Sequence, residues 1–167
     1  MHFYFCINDF KDVKNVSFKN ESILDIKYDQ KFDTVTMWEV IEHLPLNSEI
    51  NMFSNVYKAL SKGGSFYLST PYHSFLSYTL DPAYWLIGHR HYKALQLIKV
   101  AIESGFVVEK VEVKGKIFEI LATLNLYIAK WVFRRPPFFE NWFNEKRNNE
   151  FNDKNGFANI YFKFKKL

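Results

Sequence analysis

Residues 31–71 read KFDTVTMWEVIEHLPLNSEINMFSNVYKALSKGGSFYLSTP, and the order of patterns inside this stretch decides the fold. Asp33–Trp38 is β-rich, with Thr34, Val35 and Thr36 in succession, and reads as a strand. Asn47 or Ser48 can cap a helix whose apolar residues Ile50, Phe53, Tyr57 and Leu60 recur at helical spacing. Gly63-Gly64 is expected to end that helix, because glycine accepts the left-handed conformation of a helix terminus. Ser65–Thr70 reads as a second strand, stopped by Pro71. Strand, helix and strand with short connections imply two parallel neighbours in an α/β sheet.

Upstream, His2–Ile7 and Asn15–Phe18 read as short strands. Downstream comes a loop rich in aromatics, Tyr72 to Tyr92. A helix over 93–104 follows, with Leu95, Ile98, Ala101 and Ile102 inward and Gly105 as its C-cap. Val107–Val113 reads as a strand. Lys116–Phe133 reads as a helix apolar nearly all round and ended by Pro136-Pro137, and residues 140–155 are polar and irregular or loosely helical. Asn155-Gly156 is a turn signal. Asn159–Lys166 alternates, with Ile160, Phe162 and Phe164 on one face. The last two strands are expected to pair antiparallel at one side of the sheet. The whole chain, 1–167, reads as one domain, with 116–155 inserted between those strands.

Apolar residues make up 48% of the chain, which excludes a disordered class. The net charge of +4 comes from interspersed acids and bases, and only Lys163-Phe164-Lys165-Lys166 is clearly basic, so no clear nucleic-acid signal exists. Cys6 stands alone, which excludes an intrachain disulfide framework and a cysteine-based zinc site. No signal-peptide pattern opens the sequence, and Ile117–Phe133, which carries Glu119, Asn125 and Lys130, is too polar and short to span a bilayer. The expected location is the cytoplasm. Arg134-Arg135 after an apolar helix would suit a phospholipid surface, so peripheral membrane contact is part of the expectation.

The 31–71 run resembles the second half of a class I S-adenosylmethionine-dependent methyltransferase. The family shows an "FD-V" strand start, "EVIEHL" after the strand, a helix ending "L-GG" and a strand ending "STP", and all four occur here in order. The segment GHRHY…ESGFVVEKVEV, residues 88–113, resembles the family's helix and sixth strand, and the final strand its seventh. The resemblance implies a Rossmann-like α/β sheet, S-adenosyl-L-methionine as cofactor, and methyl transfer to an oxygen or nitrogen acceptor. The aromatic 72–92 loop suggests a bulky, small-molecule or lipid-like acceptor. The family's first strand and its G-x-G-x-G loop have no counterpart in the sequence. The expectation is therefore an N-terminally truncated sheet whose open edge would seek a partner chain. Alternatives are a degenerate, non-catalytic binding module of the same fold, or an acceptor-binding protein acting at a membrane surface through the 116–135 helix.

Carried onto this sequence, the resemblance places Ser22 where the family has an acid for the adenine amino group, and Asp9 near the acid for the ribose diol. Each also reads as an ordinary loop residue. Met37 and Trp38 end the strand beyond which the cofactor would lie, where they would pack on adenine, with Glu39 beside them. Glu39, Glu42 and His43 share one face if the segment turns helically. Two carboxylates and an imidazole can hold Mg²⁺ or Mn²⁺, as in the similar E-x-x-E-H site of small-RNA 2′-O-methyltransferases and ubiquinone-pathway O-methyltransferases. His73 is the expected fourth ligand. The competing reading has these residues ordering the loop through hydrogen bonds. A general base is expected at His43 or a histidine of the 73–91 loop, while His89 and His91 also suit a structural or lid role.

Overall fold

The computed structural model describes Phe10 and residues 13–167. The strand expected at His2–Ile7 and the site residue Asp9 lie outside these residues. The β-rich stretch forms β1 (Phe32–Trp38), and α1 (Glu49–Ala59) carries the chain over to β2 (Leu60–Pro71), which runs parallel to β1. The α1 face that packs inward is Met52, Phe53, Val56 and Ala59, while Ile50 is exposed. Helix and strand meet without a glycine cap. Gly63-Gly64 instead falls inside β2, where the register jumps from Phe32↔Leu60 to Thr34↔Ser65. Gly63 takes φ +76° in this bulge, and a Cβ on Gly64 would sit 2.9 Å from the Ser61 carbonyl oxygen.

The 72–92 stretch is not a bare loop. It forms α2 (Phe75–Leu80) and α3 (Pro82–Ile87) before α4 (Ala94–Glu103) begins. Phe106 N–H donates to the Ala101 carbonyl and Gly105 N–H to the Ile102 carbonyl, the paired bonds of a glycine-terminated helix, with Gly105 at φ +96°. The inward face of α4 is Leu97 and Ala101 with Ile98 packed beside them, so Ile98 and Ala101 lie inward as expected while Leu95 and Ile102 are exposed. β3 (Val107–Lys114) leads to α5 (Ile117–Tyr127), which runs into a π-helical turn at Ile128–Val132. The polar stretch expected to be irregular or loosely helical is a regular helix, α6 (Glu140–Asn152). Asn155-Gly156 does not turn a hairpin: the Gly156 N–H bonds the Val113 carbonyl, and a Cβ there would lie 2.4 Å from Lys114 backbone atoms. Glycine is required by that close approach.

β4 (Asn159–Lys165) then inserts between β2 and β3, antiparallel to both, giving the order β1-β2-β4-β3. Ile160, Phe162 and Phe164 point into the core, as their alternation requires. They meet α1 and α4 in a cluster where Phe53 packs edge-on against Phe66, Phe106 and Phe164. The opposite face is more open and polar, with Tyr67 and Lys163 half-buried and a 2.7 Å Lys163–Glu109 ion pair. Residues 15–18, expected as a strand, make no ladder, and Val16 and Phe18 are exposed. Among the described residues, no helix is long and apolar enough to cross a membrane.

Candidate functional site

A cleft of about 1060 Å³ opens at the carboxyl ends of β1 and β2. In open α/β sheets this is where ligands bind. Trp38 and Glu39 line it from β1, Ser69 and Pro71 from β2, and Tyr161 from β4. Ser77, Asp81, His89 and His91 form one wall and the α5–α6 pair forms the other. The strand alternation sorts the expected cofactor residues. Met37 points into the core, while Trp38 is about half exposed at the cleft. Ser22 is distant in role: its hydroxyl accepts the Leu24 N–H at 3.2 Å, closing a local turn, and it does not line the cleft.

Glu39 follows β1 in the left-handed conformation, φ +52°, which a non-glycine residue adopts at a cost in backbone energy. This reverses the chain into a 3₁₀ turn, Ile41–His43. Glu39 therefore lies outside the turn, and Glu39, Glu42 and His43 do not share one helical face. The Glu39 carboxylate opens into the cleft and accepts the Ser69 hydroxyl at 2.6 Å. Desolvation by the cleft walls raises its pKa, with the Ser69 bond opposing. The Glu42 side chain is fully buried. Thr70 donates to its Oε2 at 3.0 Å, while Oε1 has no hydrogen-bond partner. Burial pushes the Glu42 carboxyl up to about 7.

Two histidines approach that orphaned oxygen. His89 Nε2 lies 3.7 Å and His43 Nε2 3.9 Å from Glu42 Oε1, and the two nitrogens are 3.2 Å apart. His43 does not line the cleft and more than half of its side chain is exposed, so the histidines that line the cleft are His89 and His91. Burial, then the proximity of His89 and Arg90, lowers the His43 pKa. For His89, burial pulls downward, but the nearby Asp81 carboxylate and the charges of Glu42 and Glu39 outweigh it and hold the pKa above the ordinary value. His73 packs edge-on against Tyr78 and belongs to neither group of converging ligand atoms. The place expected for it is taken by His89. A second group joins Asp81, His89 and His91, with Asp81 Oδ2 at 2.9 Å from His91 Nε2 and 3.5 Å from His89 Nδ1. His91 is held from its other side by the Ser77 hydroxyl at 3.0 Å.

Sequence reasoning missed the residues that fix this arrangement. Arg90 reaches from the middle of GHRHY to bond the carbonyls of Ile41, Glu42 and Leu44 and the Glu49 carboxylate. It pins the Ile41–His43 turn to the 72–92 segment. Asp81 orients both cleft histidines. An arginine flanked by histidines, and a lone acid in an aromatic stretch, were the available signals. On the opposite wall, Arg147 grips Glu119 with two bonds of 2.7 and 2.8 Å. Glu150, buried in α6, accepts the backbone N–H groups of Lys116, Phe118 and Glu119 and so caps α5. Tyr161 sits between these acids, and burial followed by the charges of Glu39 and Glu119 pushes its hydroxyl up to about 12.

A family model described as a methyltransferase domain matches residues 5–111. No curated protein matches the chain in sequence. Among solved structures, the chain is similar to a protein from Galdieria sulphuraria described as a candidate sarcosine dimethylglycine methyltransferase, with a TM-score of 0.63 and 16% identity. That alignment covers 96% of this chain and 63% of the other. A SAM-dependent methyltransferase from Archaeoglobus fulgidus aligns with a TM-score of 0.60 at 18% identity, over 96% of this chain and 72% of that one. A geranyl diphosphate C-methyltransferase from Streptomyces coelicolor A3(2), solved with Mg²⁺, geranyl diphosphate and S-adenosyl-L-homocysteine, aligns with a TM-score of 0.60 at 10% identity, over 96% and 57%. At these identities the likeness shows the fold, and the chain spans roughly three-fifths to three-quarters of each neighbour's length.

Proposed function

Because the chain belongs to the methyltransferase-domain family, we propose that its cleft serves S-adenosylmethionine-dependent methyl transfer to a small or lipid-like acceptor. The observation that carries this reading is the place of the cleft, at the carboxyl ends of β1 and β2 with Trp38 and Glu39 at its floor. Trp38 offers an aromatic surface for the cofactor. The sequence holds no G-x-G-x-G, Ser22 is engaged locally and Met37 is in the core. The described residues thus fit one wall of a cofactor site and lack its backbone cradle. When bound, the cofactor supplies an electrophilic methyl group, and the protein's contribution is alignment of the acceptor in line with it. Glu39 would take the acceptor's proton: it faces the cleft, desolvation raises its pKa and the Ser69 hydroxyl fixes its orientation. His89 and His91, the histidines of the 73–91 loop that line the same cleft, are the other candidates for the base, and His43 does not line it.

The metal expectation continues here with a changed ligand set, Glu42, His43 and His89. Ligand atoms 3.2–3.9 Å apart suit an ion held at about 2.0–2.2 Å, and two imidazoles with one carboxylate favour Mn²⁺ or another transition ion over Mg²⁺. Such an ion would give the unpartnered Glu42 oxygen a partner. Thermal melts test it: Mn²⁺ should raise the midpoint of the wild type and leave Glu42→Gln unmoved. Equal melts with and without Mn²⁺ leave the three side chains a loop-ordering role.

Calorimetric titration with S-adenosylhomocysteine tests the cofactor reading. Several missing backbone bonds, each about 0.5–1.5 kcal/mol, should hold the dissociation constant above the micromolar range, and Trp38→Ala should abolish the residual heat. A flat wild-type titration at millimolar ligand would defeat the reading for this chain. A binding-module role would then stand, favoured by the outer edge of β1, which is unpaired among the described residues.

A further inference from the structure

The α5–α6 hairpin ends in a tip, residues 128–142, whose apolar side chains face solvent. Phe139 is 79% exposed, Val132 69% and Phe133 58%, and Trp131 and Trp142 are each about half exposed. A soluble domain rarely presents so much contiguous aromatic and aliphatic surface without a use for it. The display is built, not frayed. The π-helical turn at Ile128–Val132 is closed by the Phe133 N–H on the Ile128 carbonyl, and the Arg135 N–H follows on Ala129. Asn125 clamps the far side, donating to the Phe138 carbonyl at 2.6 Å and accepting its N–H at 3.2 Å. Arg134 and Phe139 both adopt φ +50°, on either side of Pro136-Pro137. The apolar side chains are therefore presented by a rigid turn, so ordering them at a surface costs little.

The charge pattern identifies the surface. From Ile120 through Phe139 the sequence has no acid and three cations, Lys130, Arg134 and Arg135, a local charge of +3. All three are exposed, and none pairs with a carboxylate among the described residues. Arg135 stacks over the Phe138 ring at 4.3 Å. The nearest acid, Glu140, opens α6, where the helix dipole favours it. Bulky apolar groups encircled by unpaired cations fit the headgroup layer of an anionic bilayer. A second copy of this chain fits poorly, because tip-to-tip contact would oppose two patches of net charge +2 over residues 128–142.

We propose that this tip docks on an anionic lipid bilayer, with Trp131, Val132, Phe133 and Phe139 entering the interface and Lys130, Arg134 and Arg135 contacting headgroups. Ile120, Thr123, Leu126 and Tyr127 of the same hairpin line the cleft. Docking would therefore bring the cleft wall beside the membrane, where a lipid-like molecule could reach it. This deepens the acceptor class proposed above, yet vesicle binding requires no cofactor and fails or succeeds independently of methyl transfer.

Co-sedimentation of the full chain with vesicles of phosphatidylcholine alone, and of phosphatidylcholine mixed equally with phosphatidylglycerol, provides the test. The wild type should pellet with the mixed vesicles, shift its tryptophan emission to the blue, and be released by high salt. Arg134→Glu with Arg135→Glu should lower the partition coefficient by about tenfold or more, as should Phe133→Asp with Phe139→Asp. Lys99→Glu, on exposed α4 surface, should bind like wild type. All these sites are exposed, so unchanged melting midpoints separate lost binding from lost folding. The proposal is overturned if wild type stays in the supernatant with anionic vesicles, if the tip variants pellet equally, or if Phe133→Asp instead dissolves a dimer.

Discussion

The sheet with α1 and α4, and the α5–α6 hairpin, are held together by different means. In the first, Phe53, Phe66, Phe106 and Phe164 interlock at 0–3% exposure, and cohesion comes from non-directional burial. In the second, only Ile120, Ala129 and Glu150 are buried among the described residues of 117–152. Its cohesion is mainly directional, with Glu150 at the base, Arg147–Glu119 at mid-height and Asn125–Phe138 near the tip, beside one edge-on ring contact between Phe118 and Trp142. The contrast shows how the chain can leave a hairpin's apolar outer surface uncovered. Polar links hold the two helices in register, so the tip aromatics, although Trp131 meets Tyr127 and Phe133 meets Phe138, keep about half or more of their surface in solvent.

The largest expected effect lies on the sheet side. Phe53→Ala should destabilise the protein by about 3–5 kcal/mol, through lost burial and a residual cavity. For a chain of this size that is a fall of about 6–20 °C in melting midpoint, measured by circular dichroism. A fall of a degree or two would erase the distinction between the regions. Glu150→Gln should have an intermediate and local effect. It weakens acceptance from three backbone N–H groups and should cost about 1–3 kcal/mol. Amide hydrogen exchange should accelerate at Lys116, Phe118 and Glu119 while the β2 and β4 amides keep their protection. Uniform acceleration would show that the hairpin and the sheet unfold as one unit.

How far the sequence discloses this division follows from range. The strands at 33–38, 65–70, 107–113 and 159–166, and the parallel and antiparallel pairings between them, are legible because each is written locally in β-branched runs or alternation. So is Gly105, whose helix end is a matter of a few residues. The faces of α1 and α4 are less legible, since Ile50, Leu95 and Ile102 are apolar yet exposed. The polar stretch that becomes α6 hides Glu150, which is defined only by backbone groups more than thirty residues away. The site shows the same limit. Glu39, Glu42 and His43 stand out in the sequence because they are near neighbours there, but the turn at Glu39 separates them. His89, 46 residues beyond His43, joins them only through the fold.

The smallest expected effect belongs to the tip. Phe139→Gly should change stability by no more than about 1 kcal/mol, and in the stabilising direction, because glycine removes the Cβ strain of φ +50° and no buried contact is lost. A differential scanning measurement in which this variant melts well below wild type would show that Phe139 packs in solution.

β4 has a consequence for how quickly the molecule can form. It is the last of the described strands along the chain, yet it lies between β2 and β3, so Ser65 must find Lys165 across 100 residues. β1–α1–β2 and α4–β3 can each assemble from near neighbours. Neither can join the other until residues 159–165 arrive, and until then two unpaired strand edges face solvent. High contact order of this kind slows folding and prolongs exposure of edges that invite aggregation. The time-limiting event is thus the insertion of one seven-residue strand, and a chain synthesised only to Ala158 would hold the β1–β2 pair and an unpaired β3, not a smaller version of the same domain.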